Sequence, residues 1–295
     1  MSLNSTPHHL SLLLLYSFHH YTPLSFQIGW GWWYCILAGL SCMYPWYNLS
    51  FWLDTIQFFI KLCSKMIFKQ LFDTESSTYT YIISTGKGRE ALIIDPVIDH
   101  TIEYLKILED LELNLVKVID THIHADHITG LNELNKRTNC TRVMGEKSQS
   151  EVIDLKLKDS EKIKIENIEL NAIYTPGHTD CSYSFLMNDR VFTGDTLLIN
   201  GTGRTDFQSG SPYDAYDSIF NKLLTLPEKT LVFPGHDYNG KKNSTIEAER
   251  NNNPRLQVSS KDEYADIMNN LNLPNPKMLD VAVPANLKGL TLEQI

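Results

Sequence analysis

Seven residues, Thr121-His122-Ile123-His124-Ala125-Asp126-His127, place three histidines and an aspartate in one short stretch of chain. Neutral imidazole nitrogens and carboxylate oxygens suit zinc and non-haem iron, so this stretch reads as the nucleus of a metal site. Three distant residues complete it: His178 in TPGHTD, Asp195 in FTGDTLL and His236 in FPGHDY. A donor set drawn from four separate loops suits a site left open for chemistry rather than a closed structural one. Of the ten histidines, His8, His9, His19, His20 and His100 have no such surroundings. The cysteines lack the C-x-x-C spacing of a structural zinc site and favour a reducing compartment; Cys181, three residues after His178, reads as a small packing residue.

The elements before each candidate ligand explain how it is delivered. Tyr79 to Ser84, Ala91 to Asp95 and Val116 to Asp120 read as strands, because short β-branched and aromatic runs end at Gly, Pro or Asp. Ile98 to Leu111 carries apolar residues at Ile98, Ile102, Leu105, Leu108 and Leu111, a helical stripe, and a second helix is expected over Ile128 to Arg137. The histidine cluster therefore follows a strand and precedes a helix. Ile168 to Tyr174, Arg190 to Thr193 and Leu231 to Phe233 are strands stopped at Pro176-Gly177, Gly194 and Pro234-Gly235, which set His178, Asp195 and His236 on turns. A helix is expected over Tyr213 to Leu226, with Tyr213, Tyr216, Ile219, Phe220 and Leu223 on its apolar side. Loops beyond strand ends are where α/β proteins usually hold ligands, and this alternation describes a layered α/β domain of about 230 residues.

Charge divides the chain. No Asp, Glu, Lys or Arg precedes Asp54, so residues 1–65 read as a hydrophobic, uncharged extension and residues 66–295 as the catalytic domain. The net charge of -9 argues against a nucleic-acid partner held by phosphate neutralisation. Residues 28–53 are uncharged and rich in aromatics, long enough to cross a bilayer, and followed by Lys61, Lys65 and Lys69; Gly29, Gly31, Pro45 and Asn48 interrupt the run. A cleaved secretory signal would begin with a basic segment and a mitochondrial transit peptide would be rich in arginine, and neither feature is present. Three readings stand for residues 1–65: a membrane anchor, a poorly ordered leader, or an upstream stretch before a natural start at Met66. The last two are the leading expectation.

THIHADH, with His178, Asp195 and His236 at their distances, resembles the metallo-β-lactamase superfamily. Within it, GTGRTDFQ (201–208), FPGHDYNG (233–240), NNPRL (252–256), NLNLPNP (270–276) and AVPAN (282–286) resemble the glutathione persulfide dioxygenases, enzymes of sulfide oxidation. The resemblance implies a four-layer αββα fold and one Fe(2+) per chain, bound by His122, His178 and Asp195. Glutathione persulfide, O2 and water would be converted to glutathione and sulfite. His124, Asp126, His127 and His236 would then hydrogen-bond around the open iron face instead of holding a second ion, although a dinuclear site stays open. Arg204, Asp206, Tyr238 and Arg255 match positions lining the glutathione or iron pocket, and a bidentate arginine suits the carboxylates of glutathione. Asp95 and Asp120 are expected to brace the loops. The family is often mitochondrial; the compartment otherwise expected is the cytoplasm, and a homodimer is compatible with the chain. The competing reading is a glyoxalase-II-like hydroxyacylglutathione hydrolase with a dinuclear site, whose members carry a larger helical C-terminal region than the residues after His236 provide here.

Overall fold

The side-chain alternation of one strand explains the layering. Along β2 (Tyr79–Ser84), Tyr79, Tyr81 and Ile83 point one way and Ile82 the other, yet all are buried, so both faces of its sheet must be covered. A computed structural model describes residues 66–276 and 278–295, and in it two sheets meet face to face. The first runs β1 (Ile67–Phe72), β2, β3 (Glu90–Ile94), β4 (Asn114–Ile119), β5 (Thr141–Gly145) and β6 (Leu155–Leu157). The second has the order β14 (Ser244–Thr245), β13 (Leu231–Pro234), β10 (Arg190–Gly194), β9 (Tyr183–Leu186), β8 (Ile168–Tyr174) and β7 (Lys162–Ile165). Tyr79, Tyr81, Leu92, Ile94 and Ile119 of the first sheet pack against Leu170, Phe185, Phe192 and Phe233 of the second.

Helices cover both outer faces. Tyr104 and Leu108 of α1 (Thr101–Asp110) and Leu131 and Leu134 of α2 (Leu131–Thr138) pack on Ile82, Ile93 and Val118. Across the molecule, α3 (Pro212–Phe220), α4 (Ile246–Asn252) and α5 (Lys261–Asn269) cover Val191 and Val232. The expected four-layer αββα arrangement is therefore the observed one. A last helix, α6 (Leu279–Lys288), places Ala282 and Ala285 against Ile98 and Ile128.

Three expected helices differ in extent. Ile98–His100 is a 3-10 turn, and α1 buries Thr101, Tyr104 and Leu108 while Ile102 is 61% exposed. Tyr104 sets this phase, because its hydroxyl accepts from Val97 N and bonds Thr80 Oγ1, ties that a stripe of aliphatic residues does not reveal. The second helix begins at Leu131 rather than Ile128, since the Ile128 carbonyl accepts from Ile98 N and Thr129 bridges Val97. The third runs from Pro212, capped by Ser211 Oγ, to Phe220, and continues only as a 3-10 turn over Leu223–Thr225.

Among the described residues no helix is long and apolar enough to cross a membrane. The expectations on residues 1–65, including the anchor over 28–53, lie outside the described residues.

Candidate metal centre

The histidine cluster lies in an irregular stretch between β4 and α2 in which nearly every residue is buried. His178 lies between β8 and β9, Asp195 immediately after β10, and His236 two residues after β13. β10 and β13 are parallel neighbours, so Asp195 and His236 leave the same sheet edge together, stitched by Gly235 N donating to Gly194 O at 2.8 Å. Tyr183 N donates to Thr121 O at 2.9 Å and brings the first sheet's loop against the second. One donor atom each from His122, His178 and Asp195 lies within 4.8 Å of the others.

The hydrogen bonds fix which atoms those are. Thr121 Oγ1 gives its proton to Asp95 Oδ2 (3.0 Å), so it accepts at 2.9 Å from His122 Nδ1, and the lone pair of His122 sits on Nε2. His178 Nδ1 donates to the carbonyl of Arg204 at 2.8 Å, which likewise leaves Nε2 free. That Nε2 stands 3.6 Å from Asp195 Oδ2, while Asp195 Oδ1 is taken by His236 Nδ1 at 2.7 Å. Burial, with His124 and His178 beside it, holds His122 well below the usual imidazole range, so it is neutral. Burial pushes the Asp195 carboxyl up, but His236, and then His178 and His122, outweigh it and keep it ionised far below the usual carboxylate range. Two imidazole nitrogens and a carboxylate oxygen gathered within 4.8 Å of one another are the donor set a divalent metal needs. His178 and Asp195 are each 13% exposed, whereas His122 is buried, so the centre opens on the side of the later loops.

The remaining members of the cluster are mostly bound to one another. His236 sends its second ring nitrogen, Nε2, to Asp126 Oδ2 at 2.9 Å, so both its nitrogens face carboxylates. Burial lowers its pKa, but Asp195 and Asp126 prevail and hold His236 well above the usual range, as an imidazolium. Asp126 Oδ2 also accepts from His127 Nδ1 (2.8 Å) and Thr78 Oγ1 (3.1 Å). His124 Nε2 donates to Asp95 Oδ1 at 3.3 Å, and although burial opposes it, Asp95 lifts His124 to about 9. Two nitrogens stay unsatisfied: His124 Nδ1 and His127 Nε2 are buried without a hydrogen bond, at about 1–3 kcal/mol each. His124, Asp126 and His127 form a second group able to hold an ion, and Asp95, Asp120 and His124 a third.

Asp95 and Asp120 do brace the loop. Asp95 accepts from Thr121 N (2.7 Å) and Oγ1, and Asp120 accepts from Thr129 Oγ1 at 2.9 Å. Sequence reasoning passed over Thr78, which touches Asp126, His127 and His236, and Gln208, whose Nε2 donates to the Ile123 carbonyl at 2.8 Å. Gln208 ends the GTGRTDFQ motif, the only sign of it; Thr78, directly before β2, carries none.

The four residues expected to contact substrate are placed unequally. Arg204 makes a bidentate pair with Asp206 (2.7 Å on both arms), donates to Pro274 O and lies over the Phe207 ring, so its guanidinium is already engaged. Its backbone carbonyl is what orients His178. Tyr238 stacks on His236 with ring centroids 6.0 Å apart and is 71% exposed. Arg255 is half-buried and donates through Nη1 to Thr202 O, one residue before Gly203.

The sequence profile of the Metallo-beta-lactamase superfamily matches residues 73–236. The mouse protein "Persulfide dioxygenase ETHE1, mitochondrial" is 41% identical over 226 residues, covering 76% of this chain and 88% of its own. The crystal structure of ETHE1 from Myxococcus xanthus superimposes with a TM-score of 0.73 at 47% identity, covering 75% of this chain and 98% of that one. A hydroxyacylglutathione hydrolase of Dictyostelium discoideum is 32% identical over 187 residues, 59% of this chain and 68% of its own.

Proposed function

The chain belongs to the metallo-β-lactamase superfamily and, within it, to the persulfide dioxygenases, and from that membership we propose that it oxidises glutathione persulfide with O2 and water to glutathione and sulfite. We assign residues 66–295 as the catalytic domain and the mitochondrion, named for the mouse relative, as its compartment. His122, His178 and Asp195 would hold one iron(II) per chain through His122 Nε2, His178 Nε2 and Asp195 Oδ2. Iron(II) held on two histidines and one carboxylate would supply redox chemistry with O2, which redox-inert zinc would not.

The observation that carries the single-iron reading is the double engagement of His236. Charge-assisted hydrogen bonds to Asp195 and Asp126 contribute about 1.5–3 kcal/mol each, and a second ion using His236 and Asp126 would have to break them and deprotonate the ring. The pair of carboxylates and the imidazolium between them instead fix the orientation of Asp195 and keep its charge. His124 and His127 close the buried side of the centre, leaving substrate to approach past His178, Asp195 and the exposed ring of Tyr238.

Tyr238, exposed and stacked on His236, is assigned to a polar group of glutathione, with Arg255 as the cation that favours a glutathione carboxylate; Asp206, half-exposed on its paired Arg204, is assigned as the acceptor for the glutathione ammonium group. Tyr238→Phe is expected to raise KM for glutathione persulfide about tenfold with kcat within a factor of two or so, the loss of one hydrogen bond to a charged ligand. Steady-state oxygen uptake reads this directly, and an unchanged KM removes Tyr238 from the substrate site.

The hydrolase alternative has one observation in its favour: His127 donates through Nδ1 to Asp126, and its buried, unsatisfied Nε2 is a lone pair that a second ion would satisfy. Anaerobic purification with metal counting separates the two readings. About one iron per chain, oxygen uptake with glutathione persulfide and no turnover of S-lactoylglutathione are expected; two metals per chain with S-lactoylglutathione hydrolysis alone would overturn the proposal.

A further inference from the structure

The AVPAN motif (282–286) lies about 50 residues beyond His236 in sequence, yet its last residue reaches the histidine loop. The loop from Thr121 to Gly130 is buried and belongs to no strand or helix, so its backbone groups need partners from elsewhere in the molecule. Asn286, buried on α6, supplies three of them. Its Nδ2 donates to the carbonyls of His124 (2.9 Å) and His127 (3.0 Å), and its Oδ1 accepts from Thr129 N at 2.9 Å. Ala282 and Ala285, one helical turn and one residue before it, pack on Ile98 and Ile128, and side chains this small let the helix approach closely enough for the carboxamide to reach.

A carboxamide suits this position because it offers two N–H donors and an acceptor in one plane. With Asp95 holding Thr121 at one end of the loop and Asn286 holding His124, His127 and Thr129 at the other, the segment carrying His122 is pinned from both sides. We infer that Asn286 is a positioning residue for the metal centre: by bonding two loop carbonyls and one loop amide it fixes the turn from His124 to Thr129 and so the direction in which His122 presents its Nε2. The inference rests on His122 being a ligand.

Loss of a group that orients metal ligands typically weakens metal affinity about 10- to 100-fold. Asn286→Ser removes both N–H donors without adding charge, and Asn286→Asp removes them while keeping an acceptor for Thr129 N. Both are expected to bind Co(II), used as an air-stable spectroscopic probe, about 10- to 100-fold more weakly than the wild type, with an altered visible absorption spectrum, at temperatures well below their unfolding midpoints. A wild-type measurement guards against variants that do not fold. Because coupling is reciprocal, loading the wild-type protein with Co(II) is expected to slow hydrogen exchange at the Thr129 amide at least about tenfold. Folded variants with wild-type Co(II) affinity and spectrum, or a Thr129 amide indifferent to Co(II), would overturn the role of Asn286. Failure of the wild type itself to bind Co(II), or binding undisturbed by His122→Ala, would overturn the ligand reading beneath it.

Discussion

Asp195→Asn is expected to lower kcat/KM for glutathione persulfide by at least about 1000-fold, since a bound metal supplies several kcal/mol of stabilisation and each 1.4 kcal/mol is a factor of ten. The substitution preserves shape. The carboxamide it introduces would still accept from His236 Nδ1 through its oxygen, but its amide nitrogen would then replace Oδ2, the atom 3.6 Å from His178 Nε2. A donor there turns N–H groups toward the lone pair of His178 and removes the negative charge of the donor set at once. His236 would also lose one of its two anionic neighbours, so Asp126 alone would hold its proton. The expected pattern is an unchanged circular dichroism spectrum, iron content near zero by elemental analysis and no oxygen uptake above background. Retained iron together with activity within tenfold of wild type would remove Asp195 from the ligand set.

How far the sequence anticipates this centre depends on the kind of interaction. The strand-then-turn pattern before His122, His178, Asp195 and His236 is local, a short β-branched and aromatic run halted by Gly or Pro or, before His122, by Asp120, and each of those strands is present with its ends shifted by at most two residues. The layering is legible for the same reason, because β2 buries both of its faces. Helix starts are less legible: Ile102 fits the apolar spacing of α1, but the tertiary bonds of Tyr104 decide which side turns inward. Least legible are bonds that join distant segments through one polar side chain. Thr78 and His236 are 158 residues apart, and nothing around Thr78 signals that its hydroxyl ends between Asp126 and two histidines. Arg204 is instructive in the opposite sense. As a residue type it suits a carboxylate ligand, but Asp206, two residues on, already fills the guanidinium fork, and the carbonyl of Arg204 rather than its charge serves the centre.

Gly203 marks the tightest approach to the centre, and Gly203→Ala is the substitution expected to damage it most without replacing a ligand. A Cβ at this position would lie 2.0 Å from the Asp195 carbonyl oxygen and 3.0 Å from Cγ and Nδ1 of the His178 ring. The first contact is with backbone, which cannot swing aside as a long side chain can, so either the Gly201–Arg204 segment or the strand end carrying Asp195 must move. Moving the segment shifts Arg204 O and with it the 2.8 Å bond that fixes the tautomer of His178; moving the strand end displaces Asp195 itself. Each shift disturbs one of the three proposed ligands, His178 in the first case and Asp195 in the second. Overpacking of this kind costs about 1–3 kcal/mol of stability, and misplaced ligand support about 10- to 100-fold in metal affinity. Gly201→Ala is the internal control: two residues away, its Cβ would meet only Leu198 Cβ at 3.9 Å, an ordinary contact. Iron content and oxygen uptake should therefore fall at least about tenfold in Gly203→Ala and stay near wild type in Gly201→Ala. Equal behaviour of the two variants would show that the close approach at Gly203 does not hold His178 and Asp195 in place.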